Sequence, residues 1–224
     1  MLSVARLTST GFTAGAVLLG ASACTGLDQA SAASITRDDL VSETAGQLAG
    51  SSALSYTATY QLAGGDTARI TQSQKPTRTA YAFPGGRLIV TATATIRCKG
   101  NEKAPSCTET TPSPAVDARQ TGALITPDAV LAMLNTAALD AGTVAKQHDT
   151  TIAGHHATCL DLSQVDGAPA RTFSVCVTSE GALGSFTATI NGQQADVALT
   201  AYSDKPDEAA FALPSAATLT DKRH

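Results

Sequence analysis

The chain has no tryptophan, and aromatic residues make up only 4% of its 224 positions. Its core must therefore be filled mainly by Ala, Val, Leu and Ile, with Thr at many strand positions. Basic residues are few and scattered: 15 Lys and Arg stand against 19 Asp and Glu, a formal net charge of −4. A chain with no basic cluster lacks the concentrated positive face that nucleic acid or an anionic lipid surface requires as an electrostatic partner. Long apolar runs are missing too. The longest, Phe12 to Ala23, falls short of the roughly 18 residues of a membrane-spanning helix and gives way to polar Thr25, Gly26 and Asp28. There is no G-x-S-x-G elbow, no H-E-x-x-H, no Gly-rich phosphate loop and no dinucleotide fingerprint. The expectation is a non-enzymatic protein without a cofactor, an enzyme whose site the fold assembles from dispersed residues being the remaining catalytic option.

What the sequence does contain begins at its N-terminus. Arg6 precedes the apolar stretch Gly11 to Gly20, and Ala21, Ser22, Ala23 and Cys24 follow. A basic start, a short apolar stretch and small residues are the three parts of an export leader. The cysteine directly after small residues resembles the lipobox of bacterial lipoproteins, with Ala21 where that pattern favours leucine. The resemblance implies that residues 1–23 are removed and that Cys24 carries the acyl chains, palmitate among them. Two or three chains suffice for stable anchoring, so Cys24 would be the membrane attachment. Losing Met1–Ala23, which holds one basic and no acidic residue, takes the net charge from −4 to −5.

Beyond Cys24 lie four cysteines, Cys98, Cys107, Cys159 and Cys176. An even set in an exported chain reads as two disulfides, and the wide gaps and oxidising compartment argue against a metal site. Four cysteines allow three pairings. Each local pair brackets a plausible turn, and facing residues on antiparallel strands are close enough to bridge. The favoured pairing is Cys98 with Cys107 and Cys159 with Cys176.

Residues 24–34 have the Ala/Ser-rich composition of a flexible tether. Thr36 with Asp39 matches a capping box, and Leu40, Thr44 and Leu48 recur at helical spacing up to Gly50. From Ser55 the period becomes two, which predicts strands at 55–62, 67–74, 78–83 and 87–97, then a surface tip over 99–114 with a short strand after Cys107. Thr126, Pro127 and Asp128 mark a second helix start, with Val130, Leu131, Leu134 and Ala138 on one face. Strands resume at 144–152, 156–162, 171–178, 185–190 and 194–202, with Asn191-Gly192 as a hairpin signal. This order predicts one α+β domain over 35–214, a single curved antiparallel sheet with two helices on its concave face, and a C-terminal tail over 215–224.

Three charged motifs invite a chemical reading. His155-His156 could bind a metal or supply a base, but adjacent strand residues point to opposite faces, which favours an exposed turn. Asp38-Asp39 is explained by the dipole of the first helical turn, and Lys205-Pro206-Asp207-Glu208 reads as a charged surface loop.

The whole layout resembles the LppX and LprG type of actinobacterial envelope lipoproteins, related in fold to the carrier LolA. The matching features are Cys24, the helix before Tyr56-Thr57-Ala58-Thr59-Tyr60, the mid-chain helix and the closing Phe211-Ala212-Leu213-Pro214. The run from Thr151 to Cys159, with Val175-Cys176 later, is also similar to a pattern in such lipoproteins. The resemblance implies a half-open barrel with an apolar cavity beneath its helices, with Leu40, Leu48 and Leu134 as cavity lining. It also implies a lipid ligand and a place on the extracytoplasmic side of the cell membrane. The competing expectation is an accessory module without a small-molecule cavity, recognising a protein or glycan through loops such as 99–114.

Overall fold

The computed structural model describes residues 36–100, 104–112, 121 and 123–223. The leader, Cys24 and the tether lie outside the described residues. Two α-helices and twelve strands are described, the strands forming one sheet.

Helix α1, Arg37–Gly50, starts as its capping box predicts: Thr36 Oγ1 accepts from the Asp39 amide at 3.2 Å, and an Asp39 carboxylate oxygen accepts from the Thr36 amide at 3.0 Å. These bonds satisfy amide donors that the helix itself cannot pair. Helix α2, Pro127–Leu139, is capped by Thr126, whose hydroxyl accepts from the Ala129 amide, and its Pro127 needs no donor partner in the first turn. The helices pack against each other.

The chain runs β1 (Tyr56–Leu62), β2 (Thr67–Gln74), β3 (Thr77–Phe83), β4 (Gly86–Thr91), β5 (Thr95–Lys99) and β6 (Ser106–Thr110) as one antiparallel meander. After α2 come β7 (Val144–Ile152), β8 (His155–Ser163), β9 (Thr172–Thr178), β10 (Leu183–Ile190) and β11 (Gln193–Ser203), a second meander. The meanders join where β1 pairs with β11. A final strand, β12 (Thr218–Asp221), lies parallel to β6, so β12 and β7 form the two edges of the sheet.

Two details depart from the sequence reading. The stretch 87–97, expected as one strand, is two strands joined by a tight turn at Ala92-Thr93. That turn contains no Gly, Pro or Asn. Thr91 supplies the turn chemistry instead, its hydroxyl accepting from the amides of Thr93 and Ala94 at 3.3 and 3.0 Å. The segment 215–224, expected as a tail, contributes β12.

One face of the sheet is buried against the helices. Tyr56, Ala58, Tyr60 and Leu62 alternate inward from β1, and Leu160, Leu162, Phe173, Val175, Phe186, Val197 and Leu199 join them from the second meander. Val41, Leu48, Val130, Met133 and Leu134 of the helices fill the space between. Tyr60 is wholly buried, and among the described residues its hydroxyl has no hydrogen-bond partner, which costs about 1–3 kcal/mol that its ring burial must offset. Gln72 and Gln74 on β2 donate to the carbonyls of Ser52 and Leu54 at 2.7 to 3.1 Å, pinning the turn after α1 to the sheet. Both disulfides cross directly between paired strands, Cys98 to Cys107 across β5 and β6 and Cys159 to Cys176 across β8 and β9.

Candidate functional site

The opposite face of the first meander carries a feature that the sequence does not announce. Alternation along each strand puts Arg69 of β2, Arg78 of β3 and Arg87 of β4 on the face away from the helices, since Ala68 and Ile70 of β2, Tyr81 of β3 and Leu88 of β4, an odd number of residues away on the same strands, enter the core. The chain after β11 crosses this face as a strap. Thr57 Oγ1 fixes its start, donating to the Lys205 carbonyl at 3.1 Å and accepting from the Asp207 amide at 2.9 Å. Arg69 then pairs with Asp207 at 3.3 Å, and Arg78 pairs with Glu208 while lying 4.0 Å from the centre of the Phe211 ring. Arg87 donates to the Ala212 carbonyl at 3.1 Å, after which β12 docks on β6.

The strap roofs three adjoining cavities. The largest, about 1000 Å³, is lined by Arg69, Phe83, Pro84, Arg87, Pro105 and Pro214 among others. A chamber of about 140 Å³ shares Arg69, Ala82 and Arg87 with it and adds Thr71, Ala80, Asp207, Ala209 and Ala210. A shallower one of about 310 Å³ opens beside Tyr202 and Lys205 and again includes Arg69. The floor is one transverse row of the sheet, in which Thr59, Arg69, Ala82, Arg87 and Cys98 face each other in register. Gly86 makes room for the close turn there: a Cβ at this position would sit 2.9 Å from both the Cys98 carbonyl and the Phe83 ring.

The residues singled out in the sequence are placed as follows. Cys98 lines the large cavity, while Cys107, Cys159 and Cys176 are buried in their disulfides. Leu48 and Leu134 are core residues at 1% and 0% exposure, and Leu40 packs partly buried beside them. None of the three lines the cavities beneath the strap. His155 and His156 open β8 rather than forming the turn, which Ala153 and Gly154 make in left-handed conformations. His155 shares a 2.8 Å hydrogen bond with Glu180 and meets the Tyr202 ring edge-on at 5.3 Å, whereas His156 is exposed. Burial pushes the Glu180 carboxyl up, but the bond with His155 and its other hydrogen bonds outweigh this and hold it below its ordinary value. Among the described residues no group of three His, Cys, Asp or Glu side chains could hold a metal ion.

Sequence reasoning missed the strap because its partners lie 125 to 150 residues away along the chain. The signal present in the sequence was the nine-residue spacing of Arg69, Arg78 and Arg87, one on each of three successive strands. Lys205 to Glu208 is thus not a free loop, since both of its carboxylates are ion-paired to that series.

No protein-family model matches the chain, and no curated protein matches it. Among solved structures, its fold is similar to that of an uncharacterized conserved protein from Thermus thermophilus. The two share 12% sequence identity with a TM-score of 0.49, over 81% of this chain and 98% of that one.

Proposed function

We propose that the chain is a non-enzymatic lipoprotein of the cell envelope, held on the extracytoplasmic side of the membrane by acyl chains on Cys24, whose domain binds an apolar or amphipathic small molecule, a lipid foremost. The anchor rests on the order of Arg6, the apolar stretch and Ala21-Ser22-Ala23-Cys24. In this reading the sheet curves as a LolA-like half-open barrel around α1 and α2. The space between helices and sheet is occupied by Tyr56, Tyr60, Phe173, Phe186 and the helix leucines. The ligand is therefore assigned to the other face.

The observation that carries the binding reading is the cavity of about 1000 Å³ beneath the strap. It has the size of a small-molecule site, and it combines ring and proline surfaces with a few polar groups, as such sites do. The test is a titration of the exported chain with cis-parinaric acid, whose fluorescence rises on entering an apolar site. Saturable binding that Ala82→Leu abolishes supports the reading, and fluorescence that never rises above that of free probe contradicts it. Metabolic labelling with palmitate that Cys24→Ser eliminates tests the anchor separately.

One observation favours the second reading, a protein- or glycan-interaction module. Strand β7 is a nine-residue edge strand exposed along most of its length, beside Leu139 at 89% exposure and Val144 at 42%. Exposed edges are surfaces on which a partner chain can add. Absence of any bound small molecule would leave this as the better account.

A further inference from the structure

We propose that the strap-covered cleft is an anion site, in which Arg87, assisted by Arg69, holds the phosphate or carboxylate of a ligand whose apolar part occupies the larger cavity. The inference rests on the ligand-binding reading above and adds the ligand's chemical class.

The three strap arginines are unequally paired. Arg78 is committed on two sides, to Glu208 and to the Phe211 ring. Arg69 has Asp207 at 3.3 Å. Arg87 differs from both: among the described residues no carboxylate pairs with it, and its hydrogen bond goes to the uncharged carbonyl of Ala212. A guanidinium presents five donors in a planar fork suited to two oxygens at once, so one carbonyl leaves most of that capacity unused.

The surroundings of Arg87 suit an oxyanion. Arg69 and Arg87 sit on the same transverse row with Ala82 between them, so their backbones are about 10 Å apart and their side chains overhang a methyl-sized floor. Ala80, Ala209 and Ala210 keep the chamber of about 140 Å³ between sheet and strap open. Thr71, fully buried, belongs to the same lining, and among the described residues its hydroxyl has no hydrogen-bond partner. A buried hydroxyl without a partner is costly, and an anion's oxygens can accept from it. The chamber shares Arg69, Ala82 and Arg87 with the large cavity. A ligand whose charged group sits at Arg87 can thus extend past Phe83, Pro84, Pro105 and Pro214. Asp207, the one carboxylate lining the chamber among the described residues, is already ion-paired to Arg69.

The test is displacement of cis-parinaric acid from the exported full chain by three competitors: a lysophosphatidate, a monoacylglycerol of the same acyl length, and inorganic phosphate. Lysophosphatidate is expected to bind at least about tenfold more tightly than monoacylglycerol, and Arg87→Gln to erase most of that difference, as loss of one charge-assisted contact does. Ala82→Leu, which keeps both arginines but fills the floor shared by the two chambers, should abolish binding of the acyl probe itself, and a thermal melt confirms that each variant is folded. Equal displacement by the two acyl compounds, unchanged in Arg87→Gln, overturns the anion site and leaves the cavity reading standing. Displacement by inorganic phosphate alone, with the same Arg87 dependence, supports the anion site but assigns it to a free anion, against a lipid. Failure of the probe to bind at all overturns both.

Discussion

Arg78 and Phe211 stack, the guanidinium carbon 4.0 Å from the ring centre, and this contact clasps the C-terminal strap to the sheet. The strap crosses β1 to β4 before adding β12 to β6, so loosening the clasp loosens the roof of the cavity. A cation–π contact at a partly exposed site contributes about 0.5–1 kcal/mol. Phe211→Ala is expected to cost about that much and to accelerate hydrogen exchange at the amides of Ala210 and Ala212, which donate within the strap turn. The amides of β8 and β9 should exchange unchanged.

The strap also shows where the sequence stops being legible. Both helices declared themselves through local chemistry, Thr36 with Asp39 and Thr126 with Pro127, because a cap is written within four residues. Most strands followed from alternation, and the disulfide partners from symmetry about their turns. The break at Ala92-Thr93 was hidden because a threonine hydroxyl did the work usually done by glycine or asparagine. The cavity was illegible for a different reason: its floor is a row of residues from several strands, and its roof is a segment more than a hundred residues away. A helix-side cavity lined by Leu40, Leu48 and Leu134 was expected from the family resemblance, but the helix side is packed with the chain's scarce aromatic rings.

That packing sets the second prediction. Leu134→Ala and Leu48→Ala should each cost about 2–5 kcal/mol, as deletions from a filled core do. Leu40→Ala, at a partly buried position, should cost less than either. Urea unfolding followed by circular dichroism measures all three, and a small effect at Leu134 would mean that the site is not close-packed.

The disulfides close loops with sequence separations of 9 and 17 residues. Restriction of the unfolded chain grows with loop length, so removing Cys159–Cys176 should cost roughly 3 kcal/mol and removing Cys98–Cys107 about half a kcal/mol less. Paired Cys-to-Ala variants, compared by their urea midpoints, give both values.

Stability should fall at both ends of the pH scale. Hydrogen bonds from the Asp166 and Gly142 amides hold the Asp140 carboxyl below its usual range, and Thr36 does the same for Asp39. A depressed folded value means stability that is present above the unfolded pKa and lost as pH falls through the folded one. At the alkaline end, burial raises the phenols of Tyr56, Tyr60 and Tyr81 above their ordinary value of 10.0. Their contribution is complete below about pH 10 and is lost as pH rises beyond it. Thermal midpoints across pH should therefore drop in acid, less steeply in Asp140→Asn, and drop again in strong alkali, less steeply in Tyr60→Phe.

The central claim is that a ligand occupies the cavity beneath the strap, and native mass spectrometry of the chain purified after export in a bacterial host tests it most directly. The account predicts an added mass in the wild type that organic solvent extracts as an amphipathic molecule, and its loss in Ala82→Leu, which fills the shared floor of the two chambers. A wild type found at its bare mass with two disulfides, or an added mass that survives Ala82→Leu, would contradict it.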